Sequence, residues 1–310
     1  MGEAMLVRRG GGGAGKLTMV AAPAQTQYYV GETFDKTGLI VGADFGTYTL
    51  PIDASAVTIT PDRPLTASDT SVAASVRVGT RTLTLNVPVT VSNFSSTLNN
   101  CSWADIARAA ALGVAASTWR VGDTKYTDYN GTNIAFRIIG FGYDDLAPTD
   151  ARYNDSTYNG GLNKAAITFQ AAWTNSSSGF NRDTMNRADS SSGGWTDSFM
   201  RVGVLPADLE LLGEDVKRVV RTVSKTTGNN VVTADRLFLP NRKEYEGDSA
   251  YPYYANGGHV PYNTAPAGTN PLVWTREPTG STFVGIDAFE KYVGSVKANT
   301  KQWYYPAFCI

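Results

Sequence analysis

Hydrophobic and polar positions alternate most strictly in the first third of the chain. Val72, Ala74, Val76 and Val78 share one side of a predicted strand, and Leu83, Leu85, Val87, Val89 and Val91 share one side of the next. With Gly31, Gly38, Gly46, Pro51, Pro61 and Gly79 punctuating short runs between Gln25 and Ser92, the pattern predicts a small antiparallel sandwich. A second strand pattern lies further on. Ile134, Phe136 and Ile138 alternate with Asn133, Ala135 and Arg137 after Asn130-Gly131, the dipeptide that suits a two-residue turn needing positive φ at both positions. This predicts a hairpin that seeds a core, with the later segments added to the same sheet.

The period changes twice. Ser102 with Asp105 reads as a helix N-cap with an acid in the first turn, followed by Trp103, Ile106, Ala107, Ala110 and Val114 on one face. Leu205, Leu209, Leu212, Val216, Val219 and Val223 step by three or four, predicting a helix over 205–223 that Gly213 can split. Its acids come early and its bases late, as the helix dipole favours. Between these helices, residues 144–161 have no apolar period and read as a long solvated loop. Calcium there is a weaker reading, because no EF-hand spacing exists. Residues 245–263 read as a second loop rich in Tyr, Gly and Asn.

Residues 1–23 read as a flexible tail centred on Gly10–Gly13. Gly10-x4-Gly15-Lys16 has part of a phosphate-binding loop, but Leu17 stands where Ser or Thr would hold magnesium. The expected division is therefore tail 1–23, β domain 24–92 and a mixed domain 93–310, which suits a length of 310 residues. Formal charge is −1, from 27 basic and 28 acidic residues, so no positive field recommends nucleic acid as a partner. No run approaches the ~20 apolar residues of a membrane helix. The N-terminal bases precede no apolar core, so no secretory signal is expected. Cys101 and Cys309 are the only cysteines, and the reading favours two buried free thiols over one bridge.

Two resemblances carry the functional reading. Tyr29-Val30-Gly31-Glu32-Thr33-Phe34-Asp35, Gly38-Leu39-Ile40-Val41 and Val87-Pro88-Val89-Thr90-Val91 resemble bacterial immunoglobulin-like domains, which implies a spacer or adhesive module. From residue 102 to the end, the order Ser102-Trp103-x-x-Ile106, Val121-Gly122-Asp123, Asp144-Asp145 and Ala166-Ile167-Thr168-Phe169 continues. Gly193-Gly194-Trp195-x-x-Ser198-x-x-Arg201, Leu205-Pro206-x-x-Leu209, Asp235-Arg236-Leu237-Phe238-Leu239 and Pro306-Ala307-Phe308 follow. This order resembles a domain of unknown function found in gut Firmicutes and their phages. That family is similar to C-type-lectin-like folds, including sulfatase-modifying-factor-like domains and the variable proteins of diversity-generating retroelements. The chain departs from it at Trp274-Thr275-Arg276-Glu277-Pro278, where Trp-Leu-Arg-Ser-Pro is usual, and at Trp303-Tyr304-Tyr305 before the terminal Pro-Ala-Phe, where Gly-Val-Arg is usual.

The resemblances imply an all-β immunoglobulin-like sandwich followed by an α+β C-type-lectin-like domain. They imply a non-enzymatic phage tail or capsid appendage, in a virion or alternatively on a bacterial surface. Its head would bind a host receptor or carbohydrate, its N-terminal part would meet other virion proteins, and it could form a homo-oligomer. A purely structural decoration protein is the first alternative. An enzyme is the second, but His259 is the only histidine, the two cysteines are unlike those of sulfatase-modifying enzymes, and no carboxylate pair stands out. No cofactor or metal is expected. Tyr251, Tyr253, Tyr254, His259 and Tyr262 gather the residue types of a paratope, with Arg276 beyond. Thr282, Asp287, Lys291, Tyr292, Asn299 and Lys301 are expected to face solvent beside them. Trp119, Trp195 and Trp274 are expected in the core.

Overall fold

A computed structural model describes residues 15–78, 80–172, 180, 182–227, 230–261, 272–287 and 293–310. The chain is β-rich, with several sheets, and divides into two compact units between Phe94 and Ser95.

The first unit contains β1 (Lys16–Ala21), β2 (Gln27–Tyr29), β3 (Ile40–Asp44), β4 (Thr49–Ile52), β5 (Thr58–Thr60), β6 (Ser71–Val78), β7 (Arg81–Pro88) and β8 (Thr90–Ser92). They form sheets in the orders β1-β3-β4, β2-β8 and β5-β6-β7. The alternating residues close the core as their period requires: Val72, Ala74, Val76 and Val87 pack with Tyr28, Val41 and Leu65. Part of the expected flexible tail is a strand instead. Lys16–Ala21 pairs antiparallel with β3, Leu17 is buried, and Lys16 lies 3.7 Å from Asp44 as an ion pair rather than in a phosphate loop. Residues 1–14 lie outside the described residues.

In the second unit, Ser102 caps α1 (Trp103–Ala111) reciprocally with Asp105 and is followed by α2 (Ala115–Thr118). The hairpin is β9 (Thr124–Tyr129) and β10 (Thr132–Phe141), with φ of 50° at Asn130 and 77° at Gly131. It joins β11 (Ile167–Ala171) and the terminal β19 (Ala307–Cys309) in the order β19-β11-β10-β9. Trp103, Phe136, Phe169 and Phe308 meet on this sheet, with Phe136 and Phe308 ring centres 4.8 Å apart.

Later segments do not all extend that sheet. β12 (Arg182–Asp183), β15 (Leu272–Thr279), β16 (Thr282–Asp287), β17 (Val293–Val296) and β18 (Gln302–Trp303) form a second one, ordered β12-β18-β15-β16-β17. β13 (Val223–Thr227) and β14 (Val231–Asp235) pair separately. The single helix expected over 205–223 is a π-helical turn at Met200–Val204, then α3 (Leu205–Leu211) and α4 (Glu214–Lys217). The 245–263 loop is likewise shorter than expected, since α5 (Arg242–Tyr245) and α6 (Pro252–Ala255) occupy its start. Trp119, Trp195 and Trp274 are buried, as are both cysteines, which are free.

Candidate functional site

Part of the paratope expected from sequence is interior. Tyr251, Tyr254, Arg276 and Asp287 are 0–2% exposed, so none of them forms a binding surface. For the two tyrosines the physical reason is that α6 packs on β10. A Cβ at Gly140 would lie 3.2 Å from Pro252 and 3.4 Å from Tyr251, so the glycine lets the start of the helix approach the strand. Tyr254 donates to Gln170 Oε1, while Gln170 Nε2 donates to Tyr245 at 2.8 Å and to Tyr305 O at 3.0 Å. Tyr253 is half-buried, its hydroxyl 2.7 Å from Arg137 and its ring 4.8 Å from that guanidinium. Thr282 is half-buried and spends its hydroxyl on Thr279 O within a turn. His259, Asn299 and Lys301 are exposed as expected, while Tyr262, Lys291 and Tyr292 lie outside the described residues.

Tyr251 and Arg276 belong to a buried ionic network. Lys225 on β13 contacts Asp144, reaches Glu244 Oε1 at 3.1 Å and donates to the Tyr251 hydroxyl at 2.9 Å. Tyr251, Thr168 and Cys309 all donate to Asp144, at 2.9, 2.5 and 3.3 Å at their nearest. Arg276 holds Glu244 by two bonds of 2.5 and 2.8 Å. The two cations and two carboxylates balance. Burial works to raise the Glu244 carboxyl, but Arg276 and then Lys225 overcome it and hold it at about 2. Burial pushes the Tyr251 hydroxyl and the Cys309 thiol upward, and nearby Asp144 adds to both. Cys309 is thereby a weak nucleophile.

This network shapes an open trough. Arg276 also donates to Leu239 O at 2.7 Å and Thr226 O at 3.3 Å, so one side chain ties β15 to β13 and to the segment entering α5. Above it lies a hollow of about 330 Å³ lined by Thr226, Thr227, Asn230, Asn241, Lys243, Arg276 and Glu277. A second hollow, about 500 Å³, shares Thr227 and is also lined by residues including Ser191, Thr196, Val231 and Pro278. Turns with positive φ at Gly193, Gly194 and Gly280 shape its wall, and Ser191 pins it by donating to Gly280 O at 2.7 Å.

The trough offers hydroxyls and amides together with three ionic side chains, Lys243, Arg276 and Glu277. Arg276 is neutralised by Glu244, while neither Lys243 nor Glu277 enters a salt bridge among the described residues. Of the described residues expected from sequence, only Arg276 contributes, and as a buried support. Thr226, Thr227 and Asn230 in the β13–β14 hairpin, and Asn241 and Lys243 at the start of the one-turn α5, were missed because isolated polar residues carry no periodic signal. One clue was available: Asn241-x-x-Glu244 is a capping-box spacing, and it forms, with Asn241 accepting from the Glu244 N–H at 2.9 Å. The long loop gives no separate site, since Asp145 pairs with Lys164, Asp155 with Arg152, and Asp150 accepts from the Thr222 N–H. Compared with known proteins, the chain matches no family model and no curated sequence.

Proposed function

We propose that this chain is a non-enzymatic binding protein whose second unit, a lectin-like head, recognises a carbohydrate. The first unit is the immunoglobulin-like spacer that carries it. The observation supporting this reading is the trough at Thr227, whose hydroxyl and amide lining matches the alternating donors and acceptors of a sugar. Rigid support beneath it lowers the ordering cost of binding. A phage tail or capsid appendage binding a host-surface glycan is the setting in which the sequence resemblances and this surface agree.

The test is a screen of the full chain against immobilised glycans and intact bacterial cells. Binding to a defined sugar set, competed by that free sugar, supports the reading. Retention only on virion structural proteins would replace it with a decoration role. The observation favouring that second reading is the set of exposed apolar residues Met19, Val20, Ile40, Tyr48 and Leu50 on the first unit, residues that suit a protein partner better than a sugar.

A further inference from the structure

A separate hollow of about 340 Å³ lies between the π-helical turn Met200–Val204, α3 and the outward residues of β14. Its walls include Val202, Leu205, Pro206, Leu209 and Leu237, so they are chiefly aliphatic. Val202 is 57% exposed although apolar, and single π turns recur at functional sites. Gly203 permits the turn: a Cβ there would lie 2.7 Å from the Phe199 ring.

Most of the charge around this hollow is already engaged. Arg201 donates to Asp235 at 2.6 Å, to Thr196 O at 2.9 Å and to Ala234 O at 3.3 Å. Asp235 also accepts from Trp195 at 3.1 Å and Thr233 at 2.6 Å. Glu210 and Glu214 both face Lys217. Arg236 differs: it is exposed, lines the hollow, makes one hydrogen bond of 2.5 Å to Lys217 O and enters no salt bridge among the described residues.

We propose that this hollow is a second binding site, taking a small aliphatic carboxylate whose chain lies on the apolar walls and whose anionic end meets Arg236. The volume falls at the lower end of the ~300–1,000 Å³ typical of ligand pockets, which limits the occupant to a small molecule. An apolar body selects the chain, and the guanidinium fork selects the carboxylate.

The test titrates the full chain with octanoate, with octanol as the uncharged chain and acetate as the bare anion, by calorimetry. Octanoate is expected to bind at one site, with octanol at least about tenfold weaker for want of the charge-assisted hydrogen bond and acetate at least about tenfold weaker for want of the apolar chain. Arg236→Gln should reduce octanoate to the octanol level, Arg236→Lys should restore part of the loss, and Ala234→Phe should fill the hollow and abolish both. Lys243→Ala, in the trough, should leave octanoate binding unchanged. Failure of octanoate to bind, equal binding of octanol, or full binding by Arg236→Gln or Ala234→Phe overturns the proposal. Because Ala234 is an exposed strand residue, its variant tests the site even if Arg236→Gln proves unstable.

Discussion

Asp208 shows how one buried carboxyl makes stability depend on pH. It accepts from Tyr129 at 2.7 Å and Tyr304 at 2.9 Å, yet burial outweighs both donors and raises its pKa from 3.8 to about 6. A raised acid binds its proton more tightly when folded. Its contribution is therefore most favourable at low pH and declines as pH rises from about 4 through about 6. Urea unfolding should show a loss of roughly 2 kcal/mol between pH 4 and pH 7 that Asp208→Asn lacks; equal pH profiles would contradict the assignment. Glu244 acts in the opposite sense. Held at about 2, it stabilises above its ordinary 4.5 and gives up that contribution as pH falls towards 2. Glu244→Gln breaks a buried pair with Arg276 and should cost about 3–5 kcal/mol by the same assay. The neighbouring tyrosines should separate just as clearly. Tyr254→Ala empties a fully buried site and should cost about 3–5 kcal/mol, whereas half-buried Tyr253→Ala should cost much less. Tyr254 was indistinguishable from Tyr253 in sequence, because its buried partners, Gln170 on β11 and Tyr245 on α5, come from elsewhere in the chain.

At the scale of elements, legibility followed the range of the interactions. The hairpin at Asn130-Gly131 and the cap at Ser102 were legible because local backbone demands determine both. Replacing Ser102 by Ala should cost about 1 kcal/mol in thermal or urea unfolding, and no change would show the cap to be dispensable. The 205–223 helix failed for a non-local reason. Leu211 O accepts from the Asn130 N–H at 2.9 Å and the Gly213 N–H donates to Asp128 O at 3.1 Å, so the hairpin takes groups that a continuous helix would use. Strand β1 was hidden in the same way: Leu17 and Met19 gain strand structure only by pairing with Ala43 and Val41. The trough was least legible, since Thr226 and Glu277 become neighbours only once Arg276 joins their strands to α5.

For the whole molecule, the proposed function puts recognition at the trough rather than on the late tyrosine loop. Thr227 lines both hollows, so a large side chain there should obstruct both. Lys243 is an exposed rim group, and its loss should weaken binding by about 1 kcal/mol. The most direct measurement is the affinity of the best glycan from the screen for wild type, Thr227→Trp and Lys243→Ala, each with its melting temperature recorded. The account predicts that Thr227→Trp abolishes binding, Lys243→Ala weakens it severalfold and all three melt together. Full binding by a folded Thr227→Trp variant would contradict it and place recognition elsewhere on the chain.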